Sequence, residues 1–325
     1  MAALFLLFFI SPAAKALEVV KSADRITLKE IPCAQSMAEM EALRQWTLST
    51  GANCGAMPMR KAGAFCEIEI GKCLPAHVKK YQNVKAENIG PNCWNLALVM
   101  KDFLPYLRMS SNEEMTFFMN SGLCKQVPPS EKPKPGDVGA IRETGPSCED
   151  SNSACEVHGF IYVSENLAYS KNGYDPELPY QLQDRAKMNS AQGAWPGTDL
   201  KTEYYRCQSF KDYVAKAKIS AEFRKAFATL DYAECQVSSA SLYPKIFSEG
   251  EKRNISDAFE LVASFLRKEF THAQNTDEAF LYEALLVRLR GMNEQIQLFP
   301  SQRVNPGFPQ VGPILDQALM NRFSK

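Results

Sequence analysis

One apolar run that reads as a helix, followed by short punctuated strands, limits what this chain can fold into. The run starts at Asn92-Cys93-Trp94-Asn95. Beyond it Leu96, Val99, Met100, Phe103, Leu104 and Leu107 share one helical face. Such a face packs on a sheet, and Pro105 ends or kinks the helix. A second helix is expected over Asn112 to Asn120. Val127 to Pro135 is too rich in proline and charge for regular structure. It leads to a Pro135-Gly136-Asp137 turn and a strand over Val138 to Arg142. His158 to Ser164 and Asn166 to Ser170 alternate and are rich in β-formers, which predicts a hairpin around Glu165 and Asn166. Thr202 to Cys207 reads as a last strand. A helix followed by strands joined through tight turns predicts an α+β domain, the helix packed on an antiparallel sheet.

The flanks differ from this centre. Ser36 to Ser49 reads as a helix, with Met37, Met40, Leu43 and Trp46 at three- and four-residue steps. Gly51, Gly55, Gly63 and Cys33, Cys54, Cys66 and Cys73 surround it, so a loop-rich, stapled piece is expected. After about residue 210 the pattern is helical, over Phe210 to Ala217, Ser220 to Thr229, Ser256 to Phe270 and Asp277 to Leu298. Asn254, three residues before Asp257, is a capping start for the third of these. The expected organisation is a leader over 1–16, a cysteine-rich region over 17–80, a central domain over 81–212 and an all-α region over 213–325.

Ala2 to Ile10 is almost purely apolar, Pro12 breaks it, and Ala14-Lys15-Ala16 supplies a small-x-small cleavage pattern. That is the pattern of a secretory signal. The run is too short to span a bilayer, and no later segment is long and apolar enough. Ten cysteines suit an exported, periplasmic or extracellular protein, where disulfides persist. The expected pairs are two bridges among the four N-terminal cysteines, Cys148 with Cys155, and Cys207 with Cys235. A zinc site at the N-terminal four is disfavoured, because paired C-x-x-C spacing is missing. Lys plus Arg and Asp plus Glu number 37 each, which gives no general attraction for nucleic acid or anionic membranes. Asn254-Ile255-Ser256 matches a glycosylation acceptor.

The chemistry-bearing residues follow from chain order. A thiol at a helix start is a candidate nucleophile, because the helix N-terminus favours the thiolate. That residue is Cys93. A histidine opening a neighbouring strand can take the thiol proton and return it to a leaving amine. Of the three histidines, His77 reads as surface and His272 as a helix C-terminal residue, which leaves His158.

These pieces resemble the NlpC/P60 family of papain-like cysteine peptidases and the related CHAP amidases. The residues that carry the likeness are Gly90-Pro91-Asn92-Cys93, Pro135-Gly136-Asp137-Val138 and His158-Gly159-Phe160-Ile161-Tyr162-Val163, and it extends over roughly residues 81 to 210. Asn92-Cys93-Trp94-Asn95 stands where the family usually has Asp-Cys-Ser-Gly, and the family's preceding glycine pair is missing. Trp94 would pack beneath the sheet or line the cleft.

The resemblance implies a papain-like fold and a cysteine amidase or endopeptidase that cleaves peptide amides of peptidoglycan. It places a ring-orienting residue on the strand after the histidine strand. Asn172 is preferred to Ser170 there, because its side-chain oxygen accepts from the imidazole N–H. The family's oxyanion tyrosine corresponds to Tyr81, and a papain-like alternative is Asn88 or Asn92. No cofactor is implied, and Asp137 is a turn residue. The rival expectation is a non-catalytic secreted envelope or binding protein on the same fold, with Cys93 bonded to Cys124.

Overall fold

The computed structural model describes residues 17–23, 25–144, 156–193, 199–269 and 276–299. The expected leader, the expected Cys148–Cys155 bridge and His272 lie outside them. The fold is α+β with two antiparallel sheets.

The N-terminal region is more regular than expected. Strands β1 (Glu18–Lys21), β2 (Ile26–Pro32), β3 (Met59–Ala62) and β4 (Phe65–Glu69) form a four-stranded sheet in the order β1-β2-β4-β3. Its buried side is Ile26, Leu28 and Ile31 with Cys66 and Ile68. The register shifts between Leu28 and Ile31, where Glu30 has φ 59°. That bulge breaks the two-residue alternation and hides the strand from a periodicity reading. Helix α1 (Ser36–Ser49) buries Leu43 and Trp46. Cys33–Cys66 and Cys54–Cys73 are the two bridges expected among these four cysteines.

The second sheet has the order β5-β10-β6-β7-β8-β9. Its strands are β5 (Cys124–Gln126), β6 (Val138–Thr144), β7 (Glu156–Tyr162), β8 (Leu167–Lys171), β9 (Tyr180–Asp184) and β10 (Asp199–Cys207). Alternation gives it two different faces. Val138, Ala140, Ile161, Leu167 and Tyr169 join the main core with Leu96 and Ala97. Ile141, Phe160, Tyr162 and Ala168 form a smaller cluster on the other face, closed by Met188. Before the first of these strands come two short helices, α2 (Ala76–Tyr81) and α3 (Cys93–Met100), and then α4 (Asn112–Met119). Helix α5 (Arg185–Ser190), which carries Met188, follows β9.

Helix α3 is shorter than its apolar pattern suggests. Asp102 turns left-handed at φ 60°, and the Phe103 N–H returns to the Leu98 carbonyl. The residue before Pro105 is also barred from a comfortable helical conformation. Phe103, Leu104 and Leu107 are still buried, as irregular chain.

After β10 the elements are α6 (Phe210–Lys216), α7 (Ala221–Leu242), α8 (Glu249–Glu269) and α9 (Thr276–Gln297). Helix α7 runs well past the expected Thr229. Helix α8 starts at Glu249, not near Asn254. Ser248 accepts from the Glu251 N–H while Glu251 accepts from the Ser248 N–H, a reciprocal capping box. Asn254 is therefore an exposed residue inside the helix.

Buried ion pairs join these helices to the central residues. Arg108, fully buried, grips Glu114 with two N–H donors at 2.9 and 2.7 Å and Glu234 of α7 with a third. Arg288 of α9 also bonds Glu234, and it bonds Asp231 at 2.6 Å. Gln295 of α9 donates to the Ile89 carbonyl at 3.1 Å and accepts from the Met109 N–H at 2.8 Å.

The third disulfide corrects two expectations. Cys124 and Cys207 face each other in the β5–β10 register and are bonded. Cys207 is thus not paired with Cys235, and Cys124 is not paired with Cys93. Cys93 and Cys235 are free thiols among the described residues. Pairing depends on which strands become neighbours, and spacing does not encode that.

Candidate functional site

Cys93 is the first residue of α3, as the sequence predicts. Asn92 caps the helix: its side-chain oxygen accepts the Asn95 N–H at 2.9 Å, and its amide donates to the Ser110 carbonyl at 2.7 Å. Asn95, buried, accepts the Arg108 N–H at 2.9 Å. Both asparagines thus build the loop that presents the thiol. The described side-chain bonds of Asn92 thus go to Asn95 and Ser110, as a helix cap, and not to the thiol. Asn88 is committed elsewhere too, donating to the Ala240 carbonyl of α7.

Helix α3 lies against β7. A Cβ at Gly159 would sit 2.6 Å from the Trp94 ring, so the glycine admits the tryptophan. Trp94 therefore packs on the sheet. Paired bonding of β7 and β8 is formed at Ile161 with Tyr169 and at Tyr162 with Ala168. Towards Gly159 and Lys171 the two strands are no longer paired in register, and Cys93 sits at that opening. The backbone amides of Gly159, Trp94 and Gly173 lie close enough to the sulfur to favour its thiolate.

The thiol is nonetheless closed in. Cys93 is 4% exposed, and burial pushes its pKa up, with the surrounding N–H groups opposing that rise. A helix end alone would depress the pKa, as expected from the position of Cys93 in the sequence. Loss of water around the thiolate is the larger effect here.

His158 does not meet Cys93. It sits opposite Ile141 in the β6–β7 register, and its ring stacks on Phe160 at 6.3 Å. Ile141 and Phe160 belong to the smaller cluster, whereas Gly159 faces α3. The histidine therefore lies on the sheet face away from the thiol. It is 1% exposed, burial lowers its pKa to about 4, and its Nε2 has no hydrogen-bond partner among the described residues. A histidine at a strand start has two possible faces, and a single residue of register separates them.

Ser170 and Asn172 form a network with Gln183 of β9. Ser170 donates to the Asn172 side-chain oxygen at 3.2 Å, and Gln183 donates to Ser170 at 2.6 Å and Asn172 at 3.0 Å. Ser170 also reaches Met188, so it lies on the smaller-cluster face. Their described bonds are to one another, to Gln183 and to Met188, not to His158.

Tyr81, expected near the oxyanion, packs in tilted contact with His77 at 4.7 Å and with Tyr180 at 5.9 Å. Its described contacts are to these rings and to Lys80, not to Cys93. His77 is half-buried rather than fully at the surface. Burial, then nearby Lys80, lowers its pKa to about 4.

One residue absent from the sequence reading stands beside the thiol. Lys171 ends β8 on the same face as Leu167 and Tyr169, the face covered by α3. It is fully buried. Its amine donates to the carbonyls of Gly173 at 3.1 Å and Asp175 at 2.6 Å, and lies 6.0 Å from the Tyr180 ring centroid. Burial lowers its pKa to about 8, while Cys93 and Asp175 act in the opposite sense. Gly173 thus gives its N–H to the Lys171 carbonyl at 3.0 Å and its own carbonyl to the Lys171 amine, beside the thiol. The available signal was a lysine at an inward position of an otherwise apolar strand, where charge is rarely buried without a role.

Two cavities lie elsewhere. The larger, about 770 Å3, is lined by Trp46, His77, Lys101, Phe210 and Arg288, at the far end of α3 from Cys93. The other, about 550 Å3, lies between α1 and the β7–β8 turn. Among the described residues no cluster of His, Cys, Asp and Glu is arranged to hold a metal ion, and no helix is long and apolar enough to cross a membrane. No protein-family model, curated protein or solved structure matches the chain.

Proposed function

We propose that the chain is an exported cysteine amidase or endopeptidase of papain-like architecture, related to NlpC/P60 enzymes, that cleaves peptide amides of peptidoglycan. One observation carries this reading. Cys93 opens a helix packed on an antiparallel sheet, and the backbone amides of Gly159 and Trp94 lie close enough to favour its thiolate. Nearby N–H donors are what a thiolate and the oxyanion of an acyl-transfer intermediate require. The three disulfides are consistent with an oxidising compartment. The peptide substrate comes from the motif likeness alone.

The test is release of soluble fragments from purified peptidoglycan by the mature protein. Activity that vanishes in Cys93→Ala, with the disulfides intact, is the expected result. Equal activity in that variant would remove the proposal.

A second reading is favoured by the burial of Cys93. A protonated, enclosed thiol suits a non-catalytic envelope or binding protein on the same scaffold. Wild-type protein that sediments with peptidoglycan yet releases nothing would select it.

A further inference from the structure

We infer that Lys171, rather than His158, exchanges the proton with the Cys93 thiol. The inference rests on the amidase reading and supplies the base that reading lacks.

Strand alternation puts Lys171 on the α3 side of the sheet and His158 on the other. The Lys171 amine bonds the Gly173 carbonyl at 3.1 Å, and Gly173 also lies close enough to Cys93 to favour its thiolate. Lys171 has no carboxylate hydrogen-bond partner among its described contacts, only the Gly173 and Asp175 carbonyls. Such an amine can lose its proton without stranding an ion-pair partner. The groups facing it are Cys93 from α3, Asp175 from the following turn and Tyr180 from β9. Burial dominates over these, and the resulting value of about 8 lies where a general base works at neutral pH.

The neutral amine takes the S–H proton, giving thiolate and ammonium. The thiolate adds to the amide carbon, and the carbonyl π pair moves to oxygen among the N–H donors. Collapse breaks the C–N bond, and the ammonium protonates the departing amine, leaving a thioester. Water then attacks the thioester as Lys171 accepts its proton, and the thiol leaves carrying that proton away.

The experiment is the pH profile of Cys93 methylthiolation in the full-length oxidised protein. Methyl methanethiosulfonate, a small neutral reagent, is read by peptide mass spectrometry, with Cys235 as the internal reference thiol. In Lys171→Met the Cys93 profile is expected to move up by at least one pH unit, and labelling at pH 7.5 to fall about tenfold, one decade for each pH unit. In His158→Phe it should superimpose on wild type. Unchanged labelling in Lys171→Met, or a shift in His158→Phe, would overturn the inference.

A second measurement does not depend on the Lys171 variant folding or on reagent reaching the thiol. The 13Cε resonance of Lys171 is titrated in wild type and in Cys93→Ala. Loss of the thiol removes an interaction that favours the ammonium, so the titration should move to lower pH. An unmoved curve would count against the pair. The two readings fail separately. Lysine-dependent labelling without hydrolysis of peptidoglycan ends the amidase proposal. Full hydrolysis by Lys171→Met ends the lysine proposal and leaves the amidase intact.

Discussion

Replacing Arg108 by Met should be among the most damaging single changes in the protein. The side chain is fully buried and directs three N–H donors at two carboxylates, Glu114 and Glu234. Met is close in volume, so the main loss is electrostatic. Glu234 keeps Arg288 after the change, but Glu114 keeps no other cation in ion-pair contact among the described residues. Breaking a buried pair from one side costs about 3–5 kcal/mol. For a chain of 325 residues that is a fall in Tm of roughly 4–8 °C.

The loss also has a pH signature. Burial already raises the Glu114 pKa against the pull of Arg108. Without the arginine it rises further and the group takes up a proton. A carboxyl whose folded pKa lies above its unfolded one destabilises increasingly as pH climbs through that interval. The difference between Arg108→Met and wild type should therefore be larger at pH 7.5 than at pH 5. Urea melts followed by tryptophan fluorescence at both pH values measure it, and Glu114→Gln in the Met background should restore part of the loss. A cost below about 1 kcal/mol at pH 7.5, or one independent of pH, would refute the assignment of a charge-dependent network.

Cys124→Ser, compared with wild type by urea melts under oxidising conditions, should lose up to about 4.5 kcal/mol, because the bridge closes a loop with a sequence separation of 83 residues. His158 is held neutral, with its pKa lowered to about 4 from 6.5. Its contribution is fully present above pH 6.5 and is lost as pH falls towards 4, so His158→Phe should flatten the acid side of the stability profile by about 3 kcal/mol. Gly159→Ala places a methyl 2.6 Å from the Trp94 ring. The expected cost is about 1–3 kcal/mol, with a changed near-ultraviolet dichroism signal from displaced tryptophan, and an unchanged spectrum would show that α3 does not rest on β7 there.

Much of the central layout could be read from the chain. The α1 pattern, the start of α3 at Cys93 and the hairpin around Asn166 all follow from local periodicity and turn chemistry, which are short-range signals. Properties set by three-dimensional neighbours could not be read that way. The Glu30 bulge hid a strand. The Cys124–Cys207 pair depends on β5 lying beside β10, although more than seventy residues separate them in sequence. At the candidate site, the helix-start cysteine was visible as a local pattern. The face chosen by His158 was not, because alternation gives parity only once the register is known. Lys171 escaped notice because an isolated lysine in a strand carries no motif, and only its burial distinguishes it.

Gln295 sets a limit on how this protein can be divided. It lies near the end of α9, yet it bonds the Ile89 carbonyl and the Met109 N–H on either side of the Cys93 segment, and its amide fills the space over Gly90. A fragment ending near residue 212, the natural choice from the sequence pattern, would strip these braces from the thiol-bearing loop. It would also turn the buried Arg108 and Glu114 into surface groups. Inactivity of such a fragment would therefore say nothing about Cys93, and expression trials should retain the chain at least through α9.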